Sequence, residues 1–277
     1  MRWMAGRARG VSQRGCLLTV FTVLATAAAC VAVLLIPADV GAAAISEGAI
    51  VAGSSAGEPP TGQAFDGVAT VGALFTMNDG QLGTHFCTAS VVDSAHGDLI
   101  VTAAHCVTGR QGQMAFVPGY TKGKAPYGVW PVTAVYTNQA WQSTQDPDDD
   151  FAFLRLSPAS GGVPIQEVTG GDRLGIDWTE PALVRVIGYP DQTDQPITCT
   201  NRTKIFSATQ LEFDCGGYTD GTSGGPFLAD ASASSGQGAV VGVIGGYEQG
   251  GDTPEVSYAA VFGAPTEALY QQAQAGG

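Results

Sequence analysis

Ser223, in the run Gly221-Thr222-Ser223-Gly224-Gly225-Pro226, has the neighbours that a nucleophile needs. A serine hydroxyl attacks poorly until a base takes its proton, and the oxyanion formed at a carbonyl must be met by backbone N–H groups, which residues with little side chain bring close. The N–H groups of Ser223 and Gly221 would form that donor pair, and Gly224 and Gly225 leave room for a substrate backbone. Taken alone, the run is also ordinary turn material. It lacks a base, and a group to orient that base.

The chain contains three histidines. His105 alone sits between an apolar strand and a cysteine, in Val101-Thr102-Ala103-Ala104-His105-Cys106, where its ring would be held rigidly; His85 and His96 read as structural or solvated. After Pro147, the run Asp148-Asp149-Asp150 leads into Phe151-Ala152-Phe153-Leu154. Asp148 and Asp149 read as a solvated acidic turn, whereas Asp150 directly precedes the apolar strand; Asp146 is a weaker competitor. The order His, Asp, Ser, with TAAHC, DFAFL and SGGP around the three residues, resembles the trypsin/chymotrypsin-like serine peptidases over about 50–262. By that resemblance His105 is the general base for Ser223. The Asp150 carboxylate fixes the imidazole tautomer, and Gly221 and Ser223 supply the oxyanion hole.

The same resemblance implies substrate contacts and shows departures. Gly245, Gly246 and Tyr247, after Val241-Gly242-Val243-Ile244, would wall the primary specificity pocket, and Gly217 stands where trypsin-like enzymes carry an acidic pocket base. A glycine there has nothing to pair with an Arg or Lys side chain; Asp214, Asp220 and Glu255 are the nearby acids that would substitute. The family's cysteine close before the nucleophile is missing, Thr219 standing four residues ahead of Ser223. Ile50-Val51-Ala52-Gly53 looks like the family's processed N-terminus, whose ammonium group pairs with an aspartate just before the nucleophile. Here that position is Thr222. A buried ammonium without a carboxylate is unfavourable, so the oxyanion loop is expected to be held by hydrogen bonds, as in bacterial branches of the family. Ser46 to Ala49 reads as a vestigial propeptide or a flexible start.

Such a site needs a rigid frame. With 39 glycines and 15 prolines cutting the sequence into short Val-rich runs, composition leans towards a β-barrel or sandwich. The expected strands are Val68 to Thr76, His85 to Val92, Leu99 to Ala103, Val129 to Tyr136, Phe151 to Leu156, Ala182 to Gly188, Lys204 to Phe213, Gly225 to Leu228, Ala239 to Ile244 and Val256 to Phe262. Only Pro265 to Ala273 looks helical. The family resemblance implies an all-β fold of two six-stranded antiparallel barrels, about 50–165 and 166–262, closed by a short C-terminal helix over 265–273.

Residues 1–44 read as an export signal: early arginines, an apolar run from Cys16 to Ile36, and small residues ending at Ala44. The run is long enough to act instead as an uncleaved membrane anchor. Without the leader four cysteines remain, Cys87, Cys106, Cys199 and Cys215, an even number that favours disulfides in an exported chain. Three connectivities are open; chain order and the resemblance favour Cys87–Cys106 and Cys199–Cys215, the first contributing roughly 3 kcal/mol by loop closure and the second clipping a hairpin across Thr200 to Asp214.

The formal charge is −13, and without the four arginines and Asp39 of the leader it becomes about −16. Such a surface argues against binding nucleic acid or anionic membranes through charge. The expected protein is a secreted monomer acting on polypeptide substrates with no metal and no cofactor. A catalytically inactive, protease-like binding protein is the alternative; fold does not separate the two, but loss of a triad residue would mark it, and all three are present.

Overall fold

The computed structural model describes residues 58–110, 113–158 and 162–276. The leader, Ser46 to Ala49 and Ile50 to Gly53 lie outside them. The described strands and helices run in the order β1 (Gln63–Ala64), β2 (Val71–Asn78), β3 (Gln81–Val91), β4 (Leu99–Thr102), β5 (Met114–Pro118), β6 (Trp130–Tyr136), α1 (Gln139–Thr144), β7 (Ala152–Leu156), α2 (Ile165–Thr169), β8 (Arg173–Leu174), β9 (Leu183–Gly188), β10 (Ile197–Arg202), β11 (Lys204–Ile205), β12 (Gln210–Asp214), β13 (Pro226–Ala229), β14 (Ala239–Val243), β15 (Val256–Ala260) and α3 (Ala264–Ala275). None of the described helices is long and apolar enough to cross a membrane.

Strands β2 to β7 close into an antiparallel barrel in the order β2-β3-β4-β7-β6-β5. Leu74, Phe116 and Leu154 fill it, each fully buried. Where β2 meets β5, Gly72 pairs with Pro118, and a Cβ on Gly72 would strike the Val117 carbonyl; only glycine lets the two strands close here.

The second lobe has six principal strands, of four residues or more, divided between two sheets: β1-β10-β9-β13-β14-β8 and β11-β12-β15. Val186, Phe213, Phe227, Val241 and Ala259 pack between them as one core. The β8–β14 pair is parallel and the other paired neighbours are antiparallel. The all-β, two-lobed architecture with a C-terminal helix is therefore as expected, while the second lobe is made of two sheets rather than one ring. The reason lies at Thr203, which separates β10 in one sheet from β11 in the other. Lys204 to Phe213 is accordingly a hairpin, not one strand.

Both disulfides are present. Cys87 on β3 is bonded to Cys106, next to His105. Cys199 on β10 is bonded to Cys215, after β12. The second bond does not clip a hairpin as expected, because β10 pairs with β9; it staples the two sheets of the second lobe to each other. Each lobe also holds a piece from the other end of the chain. Strand β1, expected in the first barrel, pairs with β10 of the second lobe. Helix α3 returns to the first, where Tyr270 packs on Phe153 with ring centroids 5.4 Å apart.

Asp172 ties the lobes at the end of β3. It is fully buried; Ser90 Oγ donates to its Oδ2 at 2.8 Å and the Gly238 N–H to its Oδ1 at 2.9 Å. Burial raises the Asp172 carboxyl above the usual carboxylate range, these two hydrogen bonds only partly opposing it. A folded-state value above the unfolded one means that this group's contribution is fully present below the ordinary carboxylate pKa and is lost as pH rises through the raised value. Asp172→Asn keeps an oxygen for Gly238 and an N–H for Ser90 without the charge. Its melting temperature is expected to match or exceed that of the wild type at neutral pH, the advantage shrinking as pH falls from about 8 to about 4; a variant less stable by the same margin across that range would contradict this.

Candidate active site

Strand register brings together His105, the expected base, and Asp150, the expected acid. β4 and β7 pair so that Thr102 lies opposite Ala152, which puts the residues just after β4 beside those just before β7. There the His105 backbone N–H donates to Asp150 Oδ1 at 2.9 Å, and His105 Nδ1 lies 2.7 Å from Asp150 Oδ2. Asp150 is 1% exposed, and its third donor comes from the second lobe, the Gly246 N–H at 2.9 Å from Oδ2. A carboxylate accepts from Nδ1 only if Nδ1 carries the proton, so the neutral ring leaves Nε2 free to accept one.

The serine turn is fixed from both lobes. Gly221 has φ 90°, and a Cβ there would lie 2.5 Å from both the Asp191 nitrogen and the Tyr189 oxygen, so no other residue fits. From β3, Thr88 donates its N–H to the Ser223 carbonyl at 2.8 Å and its Oγ1 to the Gly221 carbonyl at 3.0 Å. Thr222 is buried; its Oγ1 and its N–H donate to the Thr219 carbonyl at 2.7 and 3.1 Å. The loop is therefore held by neutral hydrogen bonds at the position where an aspartate would receive an ammonium group. Among the described residues the N–H groups of Gly221 and Ser223 donate to no protein carbonyl.

His105, Gly221 and Ser223 line one cleft of about 760 Å³. Ser223 and His105 make no direct hydrogen bond here, a separation common before substrate binds. One wall is Tyr218 to Ser223 and the facing one Glu248 to Pro254, with Phe86 and Arg110 from the first lobe. Four carboxylates, of Asp191, Asp220, Glu248 and Asp252, face it with one guanidinium, giving it a negative field.

The residues expected to wall the specificity pocket are not among those lining this cleft. The Gly245 N–H donates to the Tyr258 carbonyl, and Gly246 serves Asp150. Tyr247 is 38% exposed, with its ring 4.8 Å from Phe206 and 5.1 Å from Tyr258. Gly217, with φ 95°, sits beside Ile197 and Thr61 and is not part of the cleft lining. The facing wall comes instead from the glycine-rich turn that follows, whose Glu248 and Gln249 both hold positive φ; the pair Gly250-Gly251 was its one sequence signal. Of the nearby acids, Asp220 lines the cleft, Asp214 is bonded to Lys204, and Glu255 is not in the lining.

Asp148 and Asp149 are half-buried rather than solvated. Asp148 Oδ1 accepts from Gln210 Nε2 at 2.7 Å, and Asp149 accepts from Asn138 and is raised above the usual carboxylate range by burial. The short helical turn at Pro147–Asp149, capped by Asp146, aims both side chains inward, which the bare acidic run did not indicate. His85 is buried against Phe75 and Tyr120, and burial lowers its pKa; His96 is exposed. The one cluster with metal-ligating atoms among the described residues, Cys87, His105 and Cys106, offers no thiolate, because both sulfurs are in the disulfide.

A model of the trypsin family matches residues 64–262. The chain belongs to that family. Membership places it with the serine-type endopeptidases, whose substrates are polypeptides. No curated protein matches the sequence. Among solved structures the fold is shared with the protease Anisep from Arthrobacter nicotinovorans, at 24% identity and TM-score 0.66, over 78% of this chain and 100% of that one. It is shared also with the thermostable serine protease AL20 from an extremophilic microorganism, at 24% identity and TM-score 0.64, over 76% and 99%. A Glu endopeptidase matches at 16% identity and TM-score 0.60, over 79% and 97%.

In this trypsin-family site the three adjacent aspartates have different partners, which separates their roles. Asp150→Asn is expected to lower kcat on the order of 10⁴-fold with KM little changed, and Asp148→Asn far less. Steady-state kinetics of both variants checks this, and an equal loss from Asp148→Asn would move the acid to another residue.

Proposed function

We propose that this protein is an exported serine endopeptidase working through an acyl-enzyme. His105 Nε2 takes the proton from Ser223 Oγ as the oxygen attacks the scissile carbonyl. The N–H groups of Gly221 and Ser223 receive the oxyanion, and the same imidazole then protonates the leaving amine. Water repeats the sequence on the ester and frees Ser223. Asp150 orients the ring and stabilises the imidazolium that forms. The observation that carries this reading is the hydrogen bond of the buried Asp150 carboxylate to Nδ1 of His105, a residue that lines the same cleft as Ser223 and Gly221.

Two disulfides favour an oxidising compartment, in line with residues 1–44 acting as an export signal and 45–277 forming the peptidase domain. The acidic surface favours a soluble monomer that binds neither nucleic acid nor anionic membranes. No step needs a metal or a cofactor. Ser223→Ala and His105→Ala are each expected to abolish peptide hydrolysis almost completely while leaving the melting temperature intact. The losses should be non-additive, since triad residues act as a unit, and each should approach about 10⁶-fold in kcat. A double variant much slower than either single one would mean independent roles; a wild type that binds peptides without cleaving them would favour the inactive binding protein.

A further inference from the structure

Gln210 is a buried polar side chain beside the site that the chemistry above leaves without a role. It opens β12, is 4% exposed, and its amide reaches two different turns. Nε2 donates to the Pro147 carbonyl at 3.1 Å and to Asp148 Oδ1 at 2.7 Å, and Oε1 accepts the Tyr247 N–H at 3.1 Å. The amide has one workable orientation: reversed, its oxygen would face a carbonyl and a carboxylate, and its NH2 would face an N–H. The first turn, Pro147–Asp149, has Asp150 as its C-terminal cap. Capping the second turn at its start is Gly246, whose N–H donates to Asp150 Oδ2 at 2.9 Å. Gly246 has φ 82°, and a Cβ there would collide with Gln210 Oε1, so glycine is what admits the amide. Among the described hydrogen bonds, the two turns are joined by the Asp150 carboxylate and by Gln210.

We propose that Gln210 is a positioning residue for the His105–Asp150 pair. By fixing the turn that carries Asp150 against the turn that carries Gly246, it keeps Asp150 Oδ2 between the Gly246 N–H and His105 Nδ1. This rests on the assignment of Asp150 as the orienting acid in the mechanism above. A carboxylate shared between donors on two lobes stays aligned only while the two turns keep their register, and a displacement of about 1 Å at such a site costs on the order of 10²-fold in rate.

Gln210→Met keeps the length and bulk of the side chain and loses all three hydrogen bonds; Gln210→Glu keeps the acceptor for Tyr247 and loses both donors. Measure kcat and KM for a peptide substrate in the wild type, Q210M, Q210E, D150N and the Q210M/D150N double variant, and record the far-downfield proton NMR resonance of the His105 Nδ1–H. Q210M is expected to lower kcat by about 10-fold to 100-fold with KM within about twofold, and Q210E to lose at least as much, because the oxygen that replaces the NH2 faces the Pro147 carbonyl and the Asp148 carboxylate. In the D150N background the Gln210 change should cost little more, because the carboxylate through which it acts is already altered. The resonance should shift or broaden in Q210M. The proposal fails if Q210M keeps wild-type kcat, if its loss is equally large in the D150N background, if the loss lies in KM, or if the resonance is unchanged. If D150N alone lost no activity, the role of Asp150 would fall and the clamp with it; if D150N is inactive and Q210M fully active, only the clamp falls. Should Q210M not fold, Gln210→Leu in the same two backgrounds decides by the same criteria.

Discussion

A carboxylate sealed from water where two β-lobes meet sets the terms for the rest of this molecule. Burying Asp150 as an anion costs several kcal/mol unless donors replace its water. The replacement comes from the His105 N–H and Nδ1 on one lobe and the Gly246 N–H on the other. Neither lobe completes the set alone. The β4–β7 register, the Cys87–Cys106 bond beside the histidine, and the glycine at 246 all serve to bring those donors to one point.

The serine side has the same logic in neutral form. Thr88 sends its N–H and its hydroxyl to two carbonyls of the serine turn, and that hydroxyl also receives the Tyr189 N–H at 2.8 Å. One first-lobe residue thus registers both the serine turn and the Tyr189 backbone next to Gly221. Thr222 closes the turn on Thr219 without any charge, and Gly188 makes room for it, since a Cβ there would lie 2.7 Å from Thr222 Cβ. Among the described residues, then, the serine turn is ordered by neutral hydrogen bonds from both lobes.

What was legible in the sequence was local. His105, Asp150 and Ser223 each stand at the end or turn of an apolar strand, where a few adjacent residues fix the backbone. The two cysteine pairs were legible from order, but the role of the second was not. It depends on the chain changing sheets at Thr203, and the turn at Phe206 to Thr209 contains no Gly, Pro, Asn or Asp to announce the hairpin. Strand β10 went unseen because Ile197–Arg202 is largely polar, with Cys199 its one buried residue. The glycines read as pocket wall fall outside the cleft lining for a different reason. Gly245 and Gly246 have the look of substrate-binding backbone, yet the Gly246 N–H is taken by Asp150, and only three-dimensional structure reveals which N–H a buried carboxylate claims.

Ser223, the nucleophile proposed above, owes its reactivity in this mechanism to the folded arrangement around Asp150 and His105. Treating the wild-type protein with an organophosphonate and locating the adduct by mass spectrometry tests this most directly. One phosphonate per chain is expected, on Ser223, with labelling abolished by denaturation and absent in His105→Ala. Labelling that falls on another residue, or that proceeds equally well on the unfolded chain, would contradict it.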